Sequence, residues 1–260
     1  MNYFTELSIE LANSRDYLDQ LFRVYPLAPE SVRYVDGEKW DKVELAFQIR
    51  DNVSLINALL DLDLFPVKDG YVPYFRHDRT AINRNPQTVN RICGRIYELG
   101  IEELWKKCSL PKETNRQMGQ LFRRWLDNSG VGIQPVSEKV FLSDNNNAVL
   151  AGNDQQLKEF ASKHCGYERD DKGVDLIARF NNKLVVGEAK FISDEGGHQN
   201  GQFLDSMTTL HTKAPEDVIY VAVLDGVLYI PSKKKMYTHI TKNDENVMSA
   251  LVLRDFLYSL

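Results

Sequence analysis

Hydrophobic residues recur every three or four positions through the first half of this chain, the spacing of one face of an α-helix. Leu7 and Leu11, then Leu18, Leu21 and Phe22, predict one or two opening helices, and Val53, Ile56, Leu59 and Leu60 predict another. From Pro86 to Gly100, residues Val89, Ile92, Cys93, Ile96 and Leu99 share a face, and Gly100 supplies the stop. Met118, Leu121, Phe122, Trp125 and Leu126 form the stripe of a further helix; its other side carries Arg116, Gln117, Gln120, Arg123 and Arg124. No strand alternation of comparable strength precedes Lys139. Residues 1–138 therefore read as a mainly helical region.

The pattern changes after that point. Asp154 reads as the N-cap of a helix from about Gln155 to His164, with Leu157, Phe160 and Ala161 on its apolar side. Two apolar, β-branched runs, 173–180 and 183–191, are separated by Asn181 and Asn182, which tolerate the positive φ of a tight hairpin turn. A polar, glycine-rich stretch then leads into Phe203, Met207, Leu210 and His211 at helical spacing. Asp217–Leu224 predicts a buried strand, Asp225-Gly226 a turn, and Val227–Ile230 a further strand closed by Pro231. Leu251, Leu253, Phe256 and Leu257 predict a terminal helix. This order gives an α/β (α+β) fold over residues 139–260, a mixed β-sheet core flanked by helices. Asn145–Asn147 is a candidate seam between the two regions.

A two-residue turn fixes the register of the hairpin. Phe180 then faces Lys183, and counting outward sets Asp175 opposite Glu188, with Cβ atoms roughly 4.5–5.5 Å apart. Lys190 shares the face of Glu188, and opposite it Gly173 leaves space. Apolar neighbours on both faces of both strands predict a sheet covered on two sides. Two carboxylates so placed repel unless a proton or a cation lies between them. A hard cation such as Mg²⁺ takes one or two carboxylates plus waters and phosphate oxygens, the arrangement that hydrolyses a phosphodiester. Lys190 would position or deprotonate the attacking water, or contact the phosphate. The competing account is a structural salt bridge, with Arg179 on the same face as a partner for Asp175.

Asp175 followed by Glu188-Ala189-Lys190 on the next strand resembles the PD-(D/E)xK nuclease motif, the active site of most type II restriction endonucleases; the proline often written before the aspartate is Val174 here. The resemblance implies a restriction-endonuclease-like core, Asp175 and Glu188 as Mg²⁺ ligands, and Lys190 as the catalytic amine. It also implies Glu159 as an additional metal-shell acid from the preceding helix. In Gly196-Gly197-His198-Gln199-Asn200-Gly201-Gln202, Gln199 and Gln202 would face DNA or active-site water, and the glycines would let backbone amides approach phosphate. His198 reads as a surface residue. The implied activity is sequence-specific hydrolysis of double-stranded DNA by a homodimer, leaving 5′-phosphate and 3′-hydroxyl ends. A repair or junction-resolving nuclease on the same core, and a non-catalytic DNA-binding protein, are the alternatives.

Charge refines this division. The 260 residues carry a net −5, against a nonspecific nucleic-acid coat. From Arg76 to Leu126, however, eleven Lys or Arg stand against five Asp or Glu, a net of +6 that leaves −11 for the remainder. A basic helical stretch ahead of an acidic catalytic half suits a cleft around DNA, and residues 1–138 would then supply recognition and dimerisation. The Arg and Gln side chains of the 116–124 stripe are types that pair with guanine and adenine edges, and Lys233–Lys235 could touch the backbone. Cys93, Cys108 and Cys165 have no metal-ligand spacing and read as reduced thiols in a cytoplasm. Glu6 and Glu10 argue against a secretion leader, and no stretch suits a membrane span. Nucleotide-binding glycine loops, Cys₄ clusters, zinc-peptidase helices and serine elbows are absent from the sequence.

Overall fold

The computed structural model describes residues 1–26, 32–111, 114–169 and 172–260, with the side chains of residues 114–116 outside that set. The chain divides into two compact units, residues 28–112 and the remainder. The opening helices and the 114–127 helix belong with the sheet, so this division does not fall at the residue 138 boundary that the sequence suggests.

The sheet unit opens with α1 (Tyr3–Ala12) and α2 (Tyr17–Val24). The smaller unit is helical, with α3 (Gly37–Gln48), α4 (Asn52–Leu60), α5 (Val72–His77), α6 (Ala81–Arg84), α7 (Pro86–Leu99) and α8 (Ile101–Cys108). It has a core of its own, built from residues such as Leu55, Ile56, Ile92, Ile96 and Leu104. The predicted stripe of α7 is buried at Val89, Ile92, Cys93 and Ile96, and the helix stops at Gly100, whose φ of +75° favours glycine.

The sheet unit continues with α9 (Thr114–Asp127), α10 (Glu138–Phe141), β1 (Ala148–Val149), α11 (Asp154–His164), β2 (Leu176–Phe180), β3 (Lys183–Ile192), α12 (Gly197–Leu210), β4 (Val218–Gly226), α13 (Lys235–Lys242), β5 (Val247–Met248) and α14 (Ala250–Ser259). The strands lie in the order β1-β2-β3-β4-β5. The first three are antiparallel, and β4 and β5 add in parallel. Alternation along the strands divides the core. Ala178, Phe180, Val185 and Val221 pack with α2, α9 and α14 on one face, whereas Ile177, Val186 and Ala222 pack toward α11, α12 and α13 on the other. The fold is mixed α/β, as the sequence predicts.

The hairpin register is the expected one: Phe180 pairs with Lys183 and Leu176 with Gly187, and Asn181 and Asn182 both take positive φ. Asp225-Gly226 is a correction. Neither residue turns the chain; both complete β4, paired with Phe191 and Ile192, and a 3₁₀ turn at Val227–Tyr229 replaces the predicted strand. Asp225 is tolerated there because its carboxylate accepts from the Tyr25 hydroxyl at 2.8 Å, from Ser249 Oγ, and from the Ala250 amide at 3.2 Å. Burial pushes this carboxyl above the ordinary carboxylate range, against those hydrogen bonds. The capping residue of α11 is Asn153, not Asp154: Asn153 and Gln156 form a reciprocal capping box. Among the described residues no helix is long and apolar enough to cross a membrane. The three cysteines are free and buried, and burial pushes each thiol up to about 12.

Candidate active site

The site forms where β2 begins. Asp175 lies one residue before the strand, where its amide donates to the Gly187 carbonyl at 3.0 Å and its Oδ2 accepts the Ala189 amide at 2.9 Å. The aspartate side chain thus takes the place of a ladder carbonyl, which locks the carboxylate against β3. Glu188 and Lys190, two residues apart on β3, point to the same side. Lys190 Nζ lies 2.9 Å from Glu188 Oε1, 3.2 Å from the Ala189 carbonyl oxygen and 3.6 Å from Asp175 Oδ2. Three oxygens therefore converge on one cation, the lysine ammonium. Burial alone would lower the pKa of Lys190, but the Asp175 and Glu188 carboxylates outweigh it and hold the ammonium above the ordinary lysine range. With both carboxylates beside it, Lys190 is a charged donor.

That oxygen set suits a hard divalent ion. Mg²⁺ is held by one or two carboxylates with water and substrate oxygens filling the remaining positions, so it needs no all-protein cage. None exists among the described residues, where no three His, Cys, Asp or Glu side chains form a metal-holding group. Asp175, Glu188 and the Ala189 carbonyl fit the requirement, and the ammonium marks the point at which positive charge is already favoured.

A cleft of about 460 Å³ opens over these groups, with Lys172, Gly173, His198, Gln202 and Asp205 around it. Asp154, released from capping duty, also lines it. One guanidinium nitrogen of Arg123, on α9, pairs with Asp154 and lies 3.2 Å from Asp175 Oδ1. Lys172 donates to Asp205 at 2.6 Å. Acids and cations thus alternate through the cleft.

Other residues proposed from the sequence lie elsewhere. Glu159 is exposed on α11, accepts from Gln155 at 2.6 Å and does not line the cleft; Asp154, one turn earlier, is the acid that does. Gln202 lines the cleft beside His198, 3.3 Å away, so His198 is also a cleft residue. Gln199 is buried instead, with its amide on Ser193. Arg179 does not reach Asp175; it donates to the Phe141 carbonyl at 2.6 Å and pairs with Asp144. On α9, Gln120 and Arg124 are exposed and Gln117 is half-buried, while the side chain of Arg116 lies outside the described residues. Part of the basic surplus of residues 76–126 is matched by acids outside that stretch: Arg79 pairs with Asp61, and Arg91 and Arg95 with Asp69.

Asp154, Lys172 and Asp205 escaped the sequence reading. The capping box Asn153-x-x-Gln156 was the available signal for Asp154, since it displaces the cap by one residue and frees the next acid. His198, Gln202 and Asp205, at i, i+4 and i+7, form a polar stripe on α12 that could have marked the side facing the cleft.

Comparison with known families matches the chain to a model described as the Tsp45I type II restriction enzyme, over residues 2–260. No curated protein and no solved structure matches the chain.

Proposed function

The chain belongs to the Tsp45I type II restriction enzyme family, and on that premise we propose that Asp175, Glu188 and Lys190 hydrolyse double-stranded DNA at a specific sequence, with Mg²⁺, leaving 5′-phosphate and 3′-hydroxyl ends. The observation that carries the reading is the convergence of Asp175, Glu188 and the Ala189 carbonyl on a single cation, the Lys190 ammonium. Asp175, Glu188 and the Ala189 carbonyl would hold Mg²⁺, which when bound lowers the pKa of a water and offsets charge on the phosphate.

The chain's own side chains supply the rest. Lys190 stands between the acids and the cleft, where its amine can contact a phosphate oxygen or the attacking water. Arg123 offsets Asp154 and Asp175, reducing the repulsion a polyanion would meet. Asp154, rather than Glu159, is the additional acid of the site. Gln202, His198 and Lys172 stand on the cleft where they can hydrogen-bond the sugar–phosphate backbone or a base. The first turn of α12, whose N-cap Gly196 offers no side-chain acceptor, presents amides suited to a phosphate. A homodimer would match the two-fold symmetry of a palindromic site, one active site per strand.

Digestion of a plasmid of known sequence tests this. Discrete bands that require Mg²⁺, with ends that map by run-off sequencing to one short sequence, are expected. A smear, or cutting without divalent metal, would overturn the proposal.

A further inference from the structure

Glu188 is the most enclosed of the site's acids, 3% exposed. Lys190 engages only its Oε1. Its Oε2 accepts a hydrogen bond from the hydroxyl of Thr209, on α12, at 3.1 Å, and Thr209 is itself 2% exposed. That hydroxyl accepts in turn from Arg169 Nη1 at 2.8 Å. A hydroxyl has one proton to give. With a guanidinium on one lone pair, the proton can go to Glu188 or to the Asp205 carbonyl at 3.2 Å, and the carboxylate is the stronger, charge-assisted acceptor.

We propose that Thr209 is a positioning residue for Glu188: its hydroxyl fixes one carboxylate oxygen so that the other faces the cation position. The inference rests on the reading of Asp175, Glu188 and the Ala189 carbonyl as a divalent-cation site. The last torsion of a glutamate side chain is broad, so the backbone of β3 alone does not set the direction of Oε1. A buried Oε2 without its donor would turn to find another, and Oε1 would turn with it. Arg169 holds the relay from the far side, donating both to Thr209 and to the Asp205 carbonyl at 2.9 Å.

Calorimetric titration of Ca²⁺, a hard oxygen-seeking cation, into the full chain decides the matter without reference to cleavage. Thr209→Val keeps the shape and removes the hydroxyl, so Ca²⁺ affinity should fall about tenfold or more, the loss typical when the partner of a metal ligand is removed, while Thr209→Ser should stay within about twofold of the parent. Equal affinity in the parent and Thr209→Val overturns the proposal. So does a Thr209→Ser variant as weak as Thr209→Val, because the effect would then belong to packing. Should Thr209→Val fail to fold, Thr209→Ala against Thr209→Ser reads the same hydroxyl in smaller side chains, with the weak binder again expected to be the one lacking it. Absence of Ca²⁺ uptake by the parent chain would remove the cation-site reading itself, and this proposal with it.

Discussion

Replacing Arg123 with alanine should destabilise the metal-free sheet unit, and a divalent ion should repair part of the loss. One guanidinium nitrogen serves two carboxylates, Asp154 and Asp175, whose side chains are 68% and 15% exposed. Removing one partner of a buried ion pair costs about 3–5 kcal/mol, whereas an exposed pair is worth about 0.2–1 kcal/mol. Asp175 keeps the Ala189 amide and Lys190, and Asp154 can turn to water. The expected cost therefore falls between these ranges, about 1–2 kcal/mol. At about 2–4 °C per kcal/mol for a unit of this size, melting of the sheet unit should fall by roughly 2–8 °C. Thermal unfolding followed by circular dichroism, without metal and with saturating Ca²⁺, measures both halves of the claim. The deficit of Arg123→Ala should shrink in Ca²⁺, because the ion supplies positive charge beside the same carboxylates. An unchanged melting temperature without metal, or a deficit that is the same in both conditions, would refute the electrostatic account of Arg123.

Two further outcomes follow from particular side chains. Asp154→Asn should weaken Ca²⁺ uptake several-fold, whereas Glu159→Gln, exposed on the same helix, should leave it unchanged; calorimetry on both variants checks this, and a larger loss from Glu159→Gln would restore that residue to the site. Asp69 is held below the ordinary carboxylate range by a hydrogen bond from Arg91 and by the Tyr71 amide. With its folded pKa below an unfolded value of about 3.9, its stabilisation is complete above that value and disappears as pH falls through the lower one. Asp69→Asn should thus melt below the parent at neutral pH, with the gap narrowing as pH falls below about 3.9; a gap that does not narrow in acid would contradict this.

The hairpin at residues 173–191 was legible because its information is local. Asn181 and Asn182 dictate a two-residue turn, and the turn dictates register as far as Leu176 and Gly187, the residues next to Asp175 and Glu188. The helical stripes of α7 and α9 were readable for the same reason. What escaped depends on distant partners. The two-residue strands β1 and β5 carry no periodicity of their own and exist through pairing with β2 and β4. Asp225-Gly226 has the composition of a turn, yet hydroxyls and an amide from residues 17, 25, 249 and 250 let the carboxylate be buried in a strand. Arg123 lies among the polar positions of a helix whose other basic residues suggest a DNA-facing side, and only the tertiary fold turns it onto Asp154 and Asp175. In the helical unit, Asp61 and Asp69 neutralise arginines that the charge count over residues 76–126 leaves free.

The central claim is that Lys190 and the two carboxylates beside it carry out the chemistry of cleavage. Lys190→Ala, assayed against the parent on one plasmid with Mg²⁺ and for DNA retention on filters in Ca²⁺, tests it most directly. Cutting should slow by about a hundredfold or more while DNA retention stays close to that of the parent. A variant that cuts the plasmid as fast as the parent would contradict the account.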